Sequence, residues 1–133
     1  MNKANIKIHA LPSDENSPAV EKEFGQLALD IFHTENEIII IAPIAGVKED
    51  DITLSITDDT LTIQGVRAQH HEIKKQDYYT KECFWGRFAR SIVLPLEADT
   101  SKISAHFENN VLEIHIGKKP IEKDQTKIIK INR

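Results

Sequence analysis

Apolar side chains recur at every second position in five separate stretches of the chain, and this period limits the folds open to it. The clearest stretch is residues 52–57, in which Ile52, Leu54 and Ile56 alternate with threonine and serine. Successive side chains of a strand point to opposite faces of a sheet, so the alternation predicts strands with one buried face. The same period marks four further sets: Leu27, Leu29 and Ile31; Phe88, Arg90, Ile92 and Leu94; Ile103, Ala105 and Phe107; and Leu112, Ile114 and Ile116.

The residues between these sets favour turns, which indicates an antiparallel arrangement. Residues 38–42 are a nearly continuous β-branched run, typical of a strand covered on both faces, and Pro43 ends it. Asn109-Asn110 is a turn signal because asparagine tolerates a positive φ. Since no strong helical pattern is present, we predict an all-β fold, an immunoglobulin-like antiparallel β-sandwich over residues 26–118.

One long segment, residues 67–81, breaks the alternation. It contains His70, His71, Tyr78 and Tyr79 among charges of both signs, and it has no clear apolar face. A segment of this length is long for a simple hairpin connection. We expect either a functional loop or an excursion that carries a short strand of its own.

The N-terminal residues 1–25 predict a mobile arm, because they are polar and contain two prolines. Within this arm the triplet Ile6-Lys7-Ile8 stands out, since the same three residues recur in the same order near the other end of the chain. The triplet is either a second docking element or a chance pattern.

The C-terminal residues 119–133 predict a docking tail. A polar, charged stretch precedes the triplet Ile129-Lys130-Ile131. In an extended chain Ile129 and Ile131 lie on the same side, where they form two apolar knobs with no local core to join. We therefore interpret the chain as a self-assembling binding module, whose tail docks on an edge or groove of another β-domain.

Composition argues against several other classes of protein. The 133 residues carry a formal net charge of -4, which does not recommend a nucleic acid as a partner. The longest apolar run, residues 38–45, is too short to span a membrane. A single cysteine, Cys83, excludes an internal disulfide framework, and the first residues open no apolar signal region. We therefore expect a cytoplasmic protein.

The candidate catalytic and metal-binding residues do not assemble into a site. His106 and His115 would offer two ligands across a hairpin, whereas a zinc site needs three or four. Two aspartate pairs flank strands and are interpreted as turn formers: Asp50-Asp51 and Asp58-Asp59. The chain has 5 glycines and no glycine-rich phosphate loop, which makes ATP hydrolysis an unfavoured activity. We predict a protein that is not an enzyme, with no metal and no cofactor.

Four segments resemble the small heat shock protein family, which is defined by the α-crystallin domain. They are residues 42–52 (Ala-Pro-Ile-Ala-Gly-Val-Lys-Glu-Asp-Asp-Ile), residues 86–95 (Gly-Arg-Phe-Ala-Arg-Ser-Ile-Val-Leu-Pro), residues 105–112 (Ala-His-Phe-Glu-Asn-Asn-Val-Leu) and Ile129-Lys130-Ile131. The third is similar to the family signature Ala-x-x-x-Asn-Gly-Val-Leu. Asn110 replaces its glycine, and asparagine is the next-best residue for a left-handed turn position. The N-terminal arm is short and polar for this family.

The resemblance implies an ATP-independent holdase chaperone, which binds partly unfolded client proteins and prevents their aggregation. Bacterial and plant-type members form dimers by exchanging a strand carried in a long loop, which would be residues 67–81 here. Arg90 matches an arginine at the family's dimer contact, and we expect Tyr78 and Tyr79 at the same interface. The partners would be other copies of the chain, in dimers and higher homo-oligomers, together with unfolded proteins.

The family's tail docks in a groove between two strands, which is also a candidate client surface. By resemblance, that groove would be lined by Ile52, Leu54, Ile56, Ile103, Ala105 and Phe107. The alternative to a small heat shock protein is a CS-type cochaperone or another β-sandwich protein-interaction module. A CS-type cochaperone would normally lack both the terminal triplet and the long exchange loop.

Overall fold

A computed structural model of the chain describes residues 4–5, 8–9, 25–120 and 128–131. Its strands are β1 (Ala4–Asn5), β2 (Ile8–His9), β3 (Gly25–Gln26), β4 (Asp30–His33), β5 (Glu37–Pro43), β6 (Ile52–Thr57), β7 (Thr60–Arg67), β8 (Gly86–Val93), β9 (Ala98–Glu108) and β10 (Val111–Lys118). Two short 3-10 helices, Glu49–Asp51 and Lys75–Asp77, are the only helical segments in these ranges.

The strands form two five-stranded sheets around one core. The first sheet has the order β1-β9-β10-β5-β4 and the second has the order β2-β6-β7-β8-β3. Neighbouring strands are antiparallel, except for two parallel pairs, β2 with β6 and β3 with β8. The predicted all-β sandwich is therefore confirmed for the part of the chain that the structure describes.

The core lies between the two sheets and combines inward residues of the alternating sets with residues of β5, β7 and the segment after β5. The largest fully buried side chains come from both sheets and from the segment after β5: Ile38, Ile40, Ile44, Leu54, Leu61, Ile63, Leu112, Ile114 and Ile116. Removing an aliphatic side chain of this size from water stabilises the folded state by about 1.5–3 kcal/mol. The alternation therefore identified the inward faces of β6 and β10, whose alternating apolar residues are largely buried.

Strand β5 is buried on its core face, whereas on its outer face only Ile39 is buried, so the predicted cover of both faces is only partly found. Ile38 and Ile40 belong to the core between the sheets. Ile39 is on the opposite face and is also buried, with Phe32 of β4 and His115 of β10 as its register partners. The strands that flank β5 in the same sheet, β4 and β10, lie beside Ile39 on this outer face.

The predicted asparagine turn joins β9 to β10. Asn109 and Asn110 both have positive φ, 53° and 62°, which is the conformation of a two-residue hairpin loop. The carbonyl of Asn110 also accepts a hydrogen bond of 2.7 Å from the amide of Ile44. Asparagine therefore fills the position where the family signature has glycine.

One predicted strand is wrong in its extent. The alternation of Leu27, Leu29 and Ile31 predicts a single strand, but residues 27–29 are irregular and separate β3 from β4. Leu27 is nevertheless buried, and its carbonyl accepts a hydrogen bond from Arg90. An irregular segment packed on the core can thus carry the apolar pattern of a strand.

Candidate docking groove

Strands β6 and β9 lie at the same side of the sandwich. Each is paired along one flank, β6 with β7 and β9 with β10, while its other flank pairs only with a strand of two residues. Asn5 pairs with β9 and Ile8 pairs with β6, and three Cα steps allow at most about 11 Å between these two residues. The two edges are therefore close together, and we call the surface between β6 and β9 the docking groove.

The six residues predicted to line the groove are divided between core and surface. Three are buried: Ile52, Leu54 and Ala105. The other three are half-buried and pack against the core: Ile56, Ile103 and Phe107. The buried residues give the groove a rigid base, and the half-buried ones leave apolar surface that another chain can cover.

The tail triplet is not docked on its own domain. Ile129 and Ile131 are 85% and 87% exposed, and residues 128–131 have no regular secondary structure. Burying an exposed isoleucine releases free energy in proportion to the apolar area removed from water. The two side chains therefore remain available for a surface on another molecule.

The residues predicted at a dimer contact lie on β8 and in the loop between β7 and β8. Arg90 is half-buried, and its Nη1 donates a hydrogen bond of 3.1 Å to the carbonyl of Leu27, so it has a partner within its own chain. Tyr78 is half-buried, with the Lys81 ammonium 5.2 Å from its ring centroid. Tyr79 is fully exposed.

The loop between β7 and β8 is anchored at its base by Arg67, a residue that the sequence did not single out. Its Nε donates a hydrogen bond of 2.7 Å to the carbonyl of Ala45, and its Nη1 donates one of 3.4 Å to the carbonyl of Phe84. Beyond this base, residues 68–85 contain a single 3-10 turn and no strand of their own. Ile73 and Tyr79 expose apolar surface there.

Two histidines and two glutamates form a cluster on the outer face of the first sheet. His115 bonds Glu37 through Nδ1 at 2.9 Å and Glu113 through Nε2 at 2.6 Å. The second Glu113 oxygen is 3.5 Å from Nε2 of His106, whose ring stacks on that of His115 with centroids 6.0 Å apart. The hydrogen bond to Glu37 raises the pKa of His115, and Glu113 adds to this, while burial opposes it.

The cluster places His106 and His115 on adjacent strands, as the sequence predicts. The carboxylates of Glu37 and Glu113 are the partners of these histidines. In the described ranges, no group of three or more histidine, cysteine or acidic side chains could hold a metal ion. The remaining candidates, His70, His71 and Cys83, are exposed. None of the helices within the same ranges has the length and apolar character needed to cross a membrane.

The chain folds as a β-sandwich, with the docking groove at one side and the exposed isoleucines Ile129 and Ile131 in its tail. Such an architecture suits a protein-interaction module. Residues 30–132 match the Hsp20/alpha crystallin family. The chain therefore belongs to that family, and the resemblance inferred from its four segments is confirmed.

Individual relatives cover much of this chain. Small heat shock protein C4 of Rickettsia felis is 39% identical over 103 residues, or 77% of this chain and 62% of that protein. The 18.1 kDa class I heat shock protein of Pisum sativum is 29% identical over 86% of this chain and 73% of that protein. Among solved structures, hspA from Xanthomonas axonopodis has a TM-score of 0.67 at 28% identity, over 75% of this chain and 100% of that one.

The match does not extend over the whole length of the Rickettsia relatives. The chain spans 62% of protein C4 and 65% of small heat shock protein C2 from the same organism. The family match covers residues 30–132, which include the β-sandwich from β4 onward and the tail.

Proposed function

We propose that this protein is an ATP-independent holdase chaperone, which binds partly unfolded proteins and keeps them from aggregating. The observation that carries the proposal is that the same chain has both an undocked apolar tail and an apolar docking groove. Ile129 and Ile131 are exposed, and Ile56, Ile103 and Phe107 leave part of their surface open beside the core. Membership in the Hsp20/alpha crystallin family supports this function.

Assembly into larger particles would use the tail of one subunit in the docking groove of another. Full burial of two isoleucines yields roughly 3–6 kcal/mol in all, at about 1.5–3 kcal/mol each. Ordering the tail and immobilising a second molecule consume much of this. A single contact is therefore weak, and several contacts within one particle reinforce each other through effective concentration.

Dimers would form through the loop between β7 and β8. Its side chains are largely exposed, including Ile73 and Tyr79, and it has no strand partner within its own domain among the described residues. Large apolar side chains on a solvated loop gain free energy when a second molecule covers them. Exchange of this loop between two subunits, with Arg90 near the contact, satisfies that requirement.

Clients would compete with the tail for the docking groove. A partly unfolded protein exposes extended apolar segments, and an extended segment adds to a sheet edge through main-chain hydrogen bonds. Weak tail contacts allow subunits to separate when such segments become abundant. The groove is then free to hold a client, and no nucleotide is required for this exchange.

The proposal is tested by aggregation and particle mass measured on the same protein. The wild-type chain is expected to suppress light scattering by a heat-labile protein without nucleotide. The double variant Ile129→Ala with Ile131→Ala is expected to shrink the particle in native mass measurement, because both knobs are lost.

Ile128→Ala provides the matched control. Ile128 is 87% exposed, like its neighbours in the tail, but in an extended chain it has the opposite parity to Ile129 and Ile131. Its truncation is expected to leave the mass unchanged. Unchanged mass in the double variant would refute tail docking, and unsuppressed aggregation with the wild-type chain would refute the holdase function.

A further inference from the structure

Two strands near the N-terminus already pair with the edges of the docking groove. In β1, Ala4 and Asn5 are antiparallel partners of Phe107 and His106 in β9. In β2, Ile8 is the parallel partner of Leu54 in β6. Strands of two residues that flank both edges place main-chain groups of this segment where a docking peptide would add.

The same N-terminal stretch carries the sequence of the tail triplet. Ile6-Lys7-Ile8 and Ile129-Lys130-Ile131 are identical in residue type and order. The pairing of Ile8 with Leu54 places the last residue of the first triplet against the strand proposed to receive the second. Chance can explain why the two triplets have the same residues. It does not explain why Ile8, the last residue of the first triplet, pairs with β6.

We propose that the N-terminal segment is a built-in competitor of the C-terminal tail for the docking groove. The inference rests on the tail-docking function proposed above and adds a second occupant. Two backbones cannot add to one flank of β6 or β9 at the same register, so each groove holds one of them at a time. The N-terminal segment has the advantage of effective concentration, since it belongs to the same chain.

The competitor is suited to being displaced. β1 and β2 contain two residues each, so few ladder hydrogen bonds hold them, and short strands at a sheet edge open readily. With an occupant of this kind, the apparent affinity of the tail equals its intrinsic affinity multiplied by the fraction of grooves that are free. It therefore keeps the groove covered in separated subunits and yields when many tails or client segments are present.

The test uses full-length chains in which Ile129→Ala and Ile131→Ala remove the resident tail contacts. In this background, Ile8→Pro with His9→Pro removes both amide donors of β2, so the strand cannot donate to β6. Glu15→Pro with Asn16→Pro is the matched control, with two prolines outside β1 and β2. A fluorescent peptide of residues 121–133 is titrated into each protein, and amide hydrogen exchange is recorded on β6 and β9.

The peptide is expected to bind the β2 variant about three- to tenfold more tightly than the control, which corresponds to occupancy of two thirds to nine tenths of the grooves by the N-terminal segment. Exchange is expected to accelerate in the same variant at whichever of the Leu54 and Ser55 amides faces β2, because successive amides of a strand point to opposite flanks. Equal, measurable affinity for both proteins would overturn the competition alone. Absence of binding to either protein would overturn tail docking, and the competition with it. Unchanged exchange in the variant would overturn the pairing of β2.

Discussion

Replacement of Gly65 by alanine should destabilise the sandwich at the strand that supports the docking groove. Gly65 lies in β7, with Ile52 of β6 and Phe88 of β8 as its register partners. A Cβ atom at this position would lie 2.3 Å from Cζ of Phe88 and 2.8 Å from the carbonyl oxygen of Asp51. Both distances are far inside van der Waals contact, so one of these groups must move.

Neither neighbour can move freely. The Phe88 side chain is buried in the core, and the Asp51 oxygen is backbone at the end of the 3-10 helix that precedes β6. Overpacking of this kind costs about 1–3 kcal/mol. Replacing glycine also lowers the conformational entropy of the unfolded chain, and this stabilises the folded state by about 0.4–1 kcal/mol. We expect a net destabilisation of about 1–2 kcal/mol, or a fall of about 0.5–1 M in the urea midpoint.

The assay is urea unfolding followed by the fluorescence of Trp85, the single tryptophan. All proteins are compared at one subunit concentration, because assembly raises apparent stability. Gly117→Ala is the control, since its Cβ would meet the side chain of Lys102 at 3.1 Å, a smaller overlap with a more adaptable neighbour. If Gly65→Ala unfolds at the same urea concentration as Gly117→Ala or higher, the argument from close packing is wrong.

Two further predictions concern the histidine cluster and the loop. Because the pKa of His115 is raised in the folded state, its protonated form stabilises the protein below the unfolded-state pKa of 6.5, and this contribution fades as the pH rises through the folded-state value. His115→Gln should therefore lower the free energy of unfolding, measured by urea titration, more at about pH 5.5 than at about pH 8.5, and the difference should be less than about 1 kcal/mol for a pair this accessible. An equal loss at both pH values would contradict the assignment. Replacement of residues 70–80 by a short glycine turn should give monomers in native mass measurement, and dimers that persist would rule out loop exchange.

Sequence periodicity predicted those parts of the fold that depend on local side-chain direction. Ile52 and Leu54 in β6, and Leu112 and Ile114 in β10, are buried on the face that their alternation indicates. The same reasoning failed over residues 27–29, where no strand is present. Leu27 is buried there, so apolar spacing reports burial more directly than it reports strand pairing.

The structure shows where the predicted site residues lie, and their docking role stays a prediction. The six groove residues occupy β6 and β9 as the resemblance implied, and Ile129 and Ile131 are exposed as their isolation from the domain suggested. The involvement of β1 and β2 was not predicted, although the repeated triplet was a signal. A triplet of three residues carries no information about which strand edges remain open to receive it.

The sequence by itself determined most of the long strands, the inward faces of the alternating ones, and the position where Asn109-Asn110 reverses the chain. These features follow from neighbours within a few residues, because side chains alternate along a strand and φ is limited residue by residue. Only the tertiary structure decided that Glu37 meets His115 across 78 residues, that Gly65 leaves room for Phe88, and that Ile8 pairs with Leu54. Such contacts depend on the order of strands within each sheet, and that order is a property of the whole chain.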